Sequence, residues 1–220
     1  MTGRQATTLA RMAASSGVPK DVLRFDVLKP AEGHRAGPAD IPGLPSDVQL
    51  LALAREDRGQ ALELLYGAYK GRIYSFLMRL VGDPDTADDV TQETFTKAFR
   101  ALDGLAQDHR ILPWLYRIAS NSAIDHLRRG RRFTWLRMGK LEGTGLEPRM
   151  ADEHGRVPER EHMQAVLRAL PPENAIALLL HAVEGYSYAE IAEIQGCSMT
   201  AVRSRIARAR SGFRERYEAK

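Results

Sequence analysis

The stretch Ser198-Met-Thr-Ala-Val-Arg-Ser-Arg-Ile-Ala-Arg-Ala-Arg210 reads as an arginine-rich helix near the end of a 220-residue chain. Val202, Ile206 and Ala209 recur at helical spacing, which predicts one inward apolar face. The arginines of the stretch fall on the remaining surface. A helix with this shape and charge is typical of one that enters the major groove of DNA.

A shorter helix and a tight turn precede this stretch. Ser187 and Glu190 have the S-x-x-E spacing of a capping box, which predicts a helix start. Gly196 permits the sharp turn that follows, and Ser198 can cap the second helix through its hydroxyl. The two helices are therefore predicted to form a helix-turn-helix.

Composition limits the class of protein. Hydrophobic residues make up 44% and charged residues 27% of the chain, as in ordinary soluble globular proteins. The one cysteine, Cys197, excludes an intramolecular disulfide and fits a reducing cytoplasm. No apolar run approaches the ~18 residues of a membrane helix, and the first residues lack the apolar core of a signal peptide. We expect a cytoplasmic protein with no cofactor, no metal and no membrane insertion.

Charge is unevenly distributed along the chain, although the net charge is only +4. One segment is purely basic among its charged residues: Arg128, Arg129, Arg131, Arg132, Arg137 and Lys140. Another segment is purely acidic: Asp83, Asp85, Asp88, Asp89 and Glu93. This separation predicts one surface for an anionic partner and another for a protein partner.

Breaks rich in Gly and Pro divide the chain. Residues 1–45 are predicted to be a mostly disordered extension, and residues 137–158 a flexible linker. Residues 46–136 and 159–220 carry helical patterns, and no convincing strand is present. The expected fold is all-α, with two small helical domains joined by a flexible linker, the second a helix-turn-helix.

Start signals locate the helices of the first domain. Ser46 is expected to cap one helix, and Asp83 followed by Pro84 to begin another. Pro113 is expected to open the last helix, from Trp114 to about Arg129.

Three blocks, in order and at family spacing, carry a resemblance to bacterial sigma factors. They are Asp83 to Phe99, Trp114 to Arg129, and a third that joins Leu170-Pro-Pro, Glu184 to Ala192 and Val202 to Arg210. The blocks look like the second conserved region, the promoter-melting helix and the fourth region. Since no room remains for the other regions, the chain resembles the minimal, extracytoplasmic-function (ECF) group of the primary-sigma-like family, over roughly residues 46 to 218.

The resemblance implies two roles for the first domain. Asp89, Gln92, Glu93 and Thr96 share one helix face by their spacing. The spacing taken by itself also fits an ordinary solvated acidic face. The resemblance implies that this face docks on the clamp helices of the largest polymerase subunit. The implied −10 binding and melting residues are His109, Arg110, Trp114, Asn121, Asp125, Arg128, Arg129, Arg131 and Arg132. The resemblance also implies that the loop of residues 103–112 captures a base flipped out of the duplex. Stacking of an unpaired base on an aromatic side chain is worth ~1–3 kcal/mol. Trp114 is also a candidate for the core.

The resemblance assigns the −35 element to the second domain. The implied residues are Ser198, Thr200, Arg203, Ser204, Arg205, Arg208 and Arg210. Arg203 and Arg208 suit guanine, where a bidentate contact gives ~1–3 kcal/mol of discrimination, and Arg205 and Arg210 suit phosphate. The linker would thread the polymerase channels. Expected partners are core RNA polymerase, through its clamp helices and β flap, promoter DNA, and an anti-sigma factor.

Two alternatives remain at this point. A stand-alone helix-turn-helix regulator explains the second domain but leaves the acidic face and the Trp114 helix without a role. An enzyme is not expected, because the sequence shows no phosphate-binding glycine loop, no metal cluster and no nucleophile beside a base.

Overall fold

The computed structural model describes residues 45–106, 108–138 and 157–218, with side chains except at 130–138 and 157–160. These residues form eight α-helices and no strand, which confirms the all-α class. The first unit contains α1 (Asp47–Glu56), α2 (Arg58–Val81), α3 (Pro84–Ala101) and α4 (Ile111–Met138). The second unit contains α5 (Val157–Ala169), α6 (Pro172–Ala182), α7 (Tyr188–Gln195) and α8 (Met199–Glu218). Most of the predicted extension and linker lies outside the described residues.

The expected caps begin the helices of the first unit. Ser46 Oγ accepts a hydrogen bond from the Gln49 amide at 3.3 Å, and Asp83 accepts one from the Thr86 amide at 2.8 Å. Each such cap stabilises a helix by ~1 kcal/mol. Asp57 adds a break that the sequence did not reveal, since it ends α1 and caps α2.

Helix α4 is longer at both ends than the sequence predicts. It begins at Ile111, where the amide donates to Asp47 Oδ2 of α1 at 3.2 Å. This cap comes from a distant part of the chain, so local start signals could not show it. Pro113 is tolerated because it lies in the first turn. The helix then continues through Gly130 to Met138, although glycine costs about 1 kcal/mol relative to alanine inside a helix.

One continuous apolar core runs through both units. It includes Phe76 and Leu115 of the first unit and Leu179 and Phe213 of the second, each no more than 1% exposed. Helices α2 and α4 pack on α6, while α7 also contacts α4 and α5 also contacts α2. The helical blocks identified in the sequence therefore lie directly against each other, and this contact positions the charged surfaces described next.

Candidate nucleic-acid and polymerase interfaces

The second unit contains the predicted helix-turn-helix. Ser187 and Glu190 form the capping box of α7, with the Ser187 amide donating to Glu190 Oε2 at 2.9 Å. Gly196 ends that helix in the left-handed region with φ 60°. Ser198 Oγ accepts from the Ala201 amide at 3.2 Å and caps α8. These contacts confirm the local structure expected from the sequence and fix the start of the arginine-rich helix.

The outer side of α8 is available to a ligand. Val202, Ile206 and Ala209 are buried as expected. The predicted −35 residues are exposed at Ser198, Thr200, Arg203 and Arg208, and half-buried at Ser204, Arg205 and Arg210. Met199, which is not among the predicted site residues, is 52% exposed beside them. A polar and cationic face of this kind, with an apolar side chain at its start, suits base edges and phosphates.

Arg205 is engaged inside the helix-turn-helix. Its Nη1 donates to Gln195 Oε1 at 2.8 Å and lies 3.3 Å from Cys197 Sγ. Gln195 Nε2 in turn donates to the Glu173 carbonyl at 3.0 Å. These bonds tie α8 to the end of α7 and the start of α6. The guanidinium predicted to contact phosphate therefore already has hydrogen-bond partners within the second unit.

The predicted polymerase face lies on the outer side of α3. Asp89, Gln92 and Thr96 are exposed, and Glu93 is half-buried. Glu93 Oε1 lies 2.6 Å from Lys97 Nζ, and its Oε2 lies 3.8 Å from Arg129 Nη2 of α4. Glu93 thus links the acidic face of α3 to the basic surface of α4. The other three residues make no side-chain hydrogen bond within the described part of the chain that would compete with a partner.

The predicted −10 residues follow the loop before α4 and one side of that helix. His109, Arg110, Asn121, Asp125, Arg128 and Arg129 are exposed, and Trp114 is half-buried against the core. A shallow hollow between α3 and α4 is lined by Glu93, Asp125, Arg128 and Arg129. The side chains of Arg131 and Arg132 lie outside the described set. Trp114 therefore serves the core and also keeps part of its ring at the surface.

Two arginines of this predicted −10 set are bonded to the second unit. Arg110 Nη1 lies 2.8 Å from Glu190 Oε1, and Arg128 Nη2 lies 2.7 Å from Glu173 Oε1. The hydrogen bond from Arg110 lowers the pKa of the Glu190 carboxyl, and the same bond raises the pKa of Arg110. The capping-box glutamate of the helix-turn-helix is consequently also an ion-pair partner of Arg110 in the loop before α4.

A buried polar contact lies between the units. Tyr116 Oη of α4 donates to Glu184 Oε2 at 2.5 Å, and Arg79 Nη1 of α2 lies 3.9 Å from Glu184 Oε1. Gly185, with φ 77°, makes the turn after α6 that presents Glu184 and Tyr186 to the first unit. Tyr116 packs edge-on against Tyr186 with ring centroids 5.6 Å apart. Burial, reinforced by Glu184, raises the pKa of Tyr116 well above its ordinary value.

The residues of this contact were not identified from the sequence. Arg72 and Arg79 are spaced seven apart, so they share the face of α2 that is otherwise apolar. Both are buried, at 7% and 4% exposure, as is Glu184 at 7%. The available signal in the sequence was a pair of arginines on a helix face that is otherwise apolar. Because charged side chains are almost never fully buried without a partner, such a pair indicates a buried polar contact.

The described residues contain no group of three or more His, Cys, Asp and Glu side chains that could hold a metal ion. Within the same ranges no helix is long and apolar enough to cross a membrane. The arrangement instead offers two cationic surfaces and one acidic surface, which suits binding to DNA and to protein.

Comparison with known proteins identifies the family. The Sigma-70 region 2 family matches residues 65–133, and the Sigma-70, region 4 family matches residues 160–211. The chain is 36% identical over 176 residues to the RNA polymerase sigma-H factor of Pseudomonas aeruginosa, covering 76% of this chain and 91% of that protein. It is 36% identical over 177 residues to the ECF RNA polymerase sigma-E factor of Escherichia coli strain K12, covering 76% and 92%.

Two solved structures of sigma factors have a similar fold. CnrH, solved in complex with the cytosolic domain of CnrY, matches with a TM-score of 0.56 and 28% identity over 79% of this chain and 98% of CnrH. The sigma factor RpoE of Bartonella quintana, solved with the anti-sigma factor NepR, has the same fold, with a TM-score of 0.55 and 23% identity over 74% and 98%. The resemblance noted in the sequence is confirmed: the chain belongs to the ECF group of the sigma-70 family and is an alternative sigma factor that directs transcription initiation by RNA polymerase.

Proposed function

We propose that this sigma factor divides its work between the two units. Residues 46–136 bind polymerase and open the −10 element, and residues 159–220 bind the −35 element. Residues 137–158 join them as a linker that lets polymerase set their separation, because two weak sites gain affinity when a scaffold fixes both. The protein acts in the cytoplasm by binding and performs no catalysis of its own.

The surface of α8 carries the −35 assignment. Thr200, Arg203 and Arg208 project from a helix whose opposite side is buried and whose start is fixed by caps at both sides of the turn. Arginine can pair with both acceptors of guanine, so Arg203 and Arg208 are the base-reading candidates. This outward row on a rigidly held helix is the observation that best supports sequence-specific promoter binding.

The exposed side of α3 supports the polymerase assignment. Asp89, Gln92 and Thr96 lie in one row, with Glu93 between them. Buried Thr91 and Thr94 bond back to their own helix at 2.6 and 2.7 Å, which leaves the row as the polar side of α3. Glu93 pairs with Lys97 and Arg129, whereas the other three side chains make no hydrogen bond among the described residues. A polar row that carries Asp89 and Glu93 is suited to a basic protein surface, and we assign binding of the polymerase clamp to it.

The −10 assignment depends on aromatic and basic groups that occur together on α4. Trp114 is half-buried in the first turn of α4, His109 is exposed in the preceding loop, and Asn121 and Arg129 are exposed further along the helix. Stacking one unpaired base on an aromatic ring is worth ~1–3 kcal/mol, and the arginines neutralise the displaced strand. Because RpoE of Bartonella quintana was solved with an anti-sigma factor, we also propose a protein inhibitor of that class as a partner.

Matched substitutions test the two assignments separately. With polymerase present, Arg203→Ala should weaken binding to the −35 element by about 5- to 150-fold, as expected for loss of ~1–3 kcal/mol. Arg216→Ala, exposed near the far end of the same helix, should leave that binding unchanged. Gln92→Ala should weaken binding to core polymerase, whereas Gln60→Ala, exposed on α2, should not. Equal effects of test and control variants would contradict the corresponding surface.

A further inference from the structure

One large apolar side chain lies exposed at the start of α8, the second helix of the helix-turn-helix. Met199 is the first residue of this helix and is 52% exposed. Among the described residues, Val48 of α1 is the only other large hydrophobic side chain with such exposure, at 54%. Met199 is not one of the side chains that form the apolar core or pack against it. Packing within the described part of the chain therefore does not account for an apolar residue at this position.

The neighbours of Met199 on the outer side of α8 are polar or cationic. Thr200 and Arg203 are both exposed. Arg203 lies four residues further along, so its side chain shares one face of the helix with that of Met199. Ser198 is already engaged as the cap, because its Oγ accepts a hydrogen bond from the Ala201 amide at 3.2 Å. Met199 thus places an apolar group at the edge of a surface that is otherwise suited to hydrogen bonds and phosphates.

We propose that Met199 is a specificity-determining residue that contacts the C5 methyl group of a thymine in the −35 element. The proposal rests on the assignment of α8 to that element made above. Residues near the start of the second helix of a helix-turn-helix contact base edges in the major groove, and thymine is the base that presents a methyl group there. The unbranched thioether side chain of methionine adapts its shape to irregular apolar surfaces, so it suits a single methyl group on a groove floor.

The spacing of Met199 and Arg203 along the helix locates the thymine. Four residues of an α-helix rise by about 6 Å, and successive base pairs of DNA are about 3.4 Å apart. The thymine contacted by Met199 therefore lies within about two base pairs of the guanine contacted by Arg203. Arg203 selects its base by hydrogen bonds and Met199 by apolar contact, so the two side chains recognise two different bases of one short element.

The test measures binding of the full chain, assembled with core polymerase, to a promoter identified by run-off transcription. Each thymine of the −35 element, on either strand, is replaced in turn by deoxyuridine, which lacks only the C5 methyl group. With the wild type, replacement at one position should weaken binding about fourfold, as expected when one methyl group is no longer buried. Met199→Ala should bind the thymine and deoxyuridine promoters equally well, because the side chain that contacts the methyl group has been removed.

Val48→Ala is the matched control, since it removes the other exposed apolar side chain, on the first unit, and it should keep the wild-type preference for thymine. The proposal is overturned if Met199→Ala keeps that preference at every position, if deoxyuridine has no effect on the wild type, or if the −35 element contains no thymine. Arg203→Ala distinguishes this failure from failure of the proposed function. Weaker −35 binding by Arg203→Ala without any methyl dependence refutes only the role of Met199, whereas unchanged binding by Arg203→Ala refutes the −35 assignment and the role of Met199 with it.

Discussion

Replacing Arg205 by alanine tests whether this arginine orients the recognition helix or contacts DNA. Its guanidinium bonds to Gln195 at 2.8 Å and to Cys197 Sγ at 3.3 Å. A hydrogen bond to a charged group contributes about 1.5–3 kcal/mol net, and a sulfur acceptor contributes less. Because the side chain is half-buried, we expect a total loss of about 2 kcal/mol, which lowers the melting temperature by about 4–8 °C for a chain of this size.

Two measurements on the same variant separate the roles. Thermal unfolding gives the stability, and the dependence of promoter binding on salt gives the number of phosphates neutralised, at ~0.9 in slope for each phosphate. We expect Arg205→Ala to be destabilised with an unchanged slope. Arg208→Ala, which is exposed on the same helix, should keep its stability within about 0.5 kcal/mol and change its binding. A stable Arg205→Ala with a reduced slope would refute the orienting role.

Three further predictions concern the fold that holds these surfaces. Gly196→Ala should cost about 1–2 kcal/mol of unfolding free energy through φ 60° alone, because an added Cβ meets nothing closer than Arg117 at 3.9 Å; an unchanged urea midpoint would contradict this. Ile206→Ala should cost about 2–5 kcal/mol, since the side chain is 1% exposed, and a loss below that range in the same assay would argue against the packing of α8. Burial raises the pKa of Tyr116, so its contribution to stability is present below about pH 10 and lost as the pH rises above it; urea midpoints of wild type should therefore fall more steeply above about pH 10 than those of Tyr116→Phe.

Local signals in the sequence were sufficient to predict the helix-turn-helix of the second unit. The capping box at Ser187 and Glu190, the glycine at position 196 and the cap at Ser198 are all contacts between residues within a few positions of each other. The geometry of a helix end fixes the spacing of these residues, so such contacts can be predicted from the sequence alone. The buried face of α8 followed from helical periodicity for the same reason.

Contacts between distant residues could not be predicted in this way. Asp47 caps α4 across 64 positions, and Glu184 reaches Tyr116 across 68. Glu190 looked like a capping residue only, yet it also binds Arg110. Such contacts depend on how the two units pack, and no local pattern specifies that packing.

The assignment of individual residues to DNA and polymerase stays a prediction. Exposure supports Arg203 and Asn121 as contacts, since both side chains are exposed. Arg205 shows the limit of charge as a criterion, because a cation on the outer side of a helix can be held by its neighbours. The residue types and spacing in the sequence limit the number of candidate binding residues. The hydrogen bonds of the folded chain then show which of these side chains already have partners within the protein.

The most direct test of the central claim is run-off transcription from fragmented genomic DNA with bacterial core polymerase and this protein, mapping the 5′ ends of the RNA. We predict starts that share a −35 and a −10 motif, and that are lost with Arg203→Ala or Asn121→Ala while Arg216→Ala retains them. Absence of specific starts, together with tight promoter binding by the chain alone, would contradict the account and indicate a stand-alone regulator.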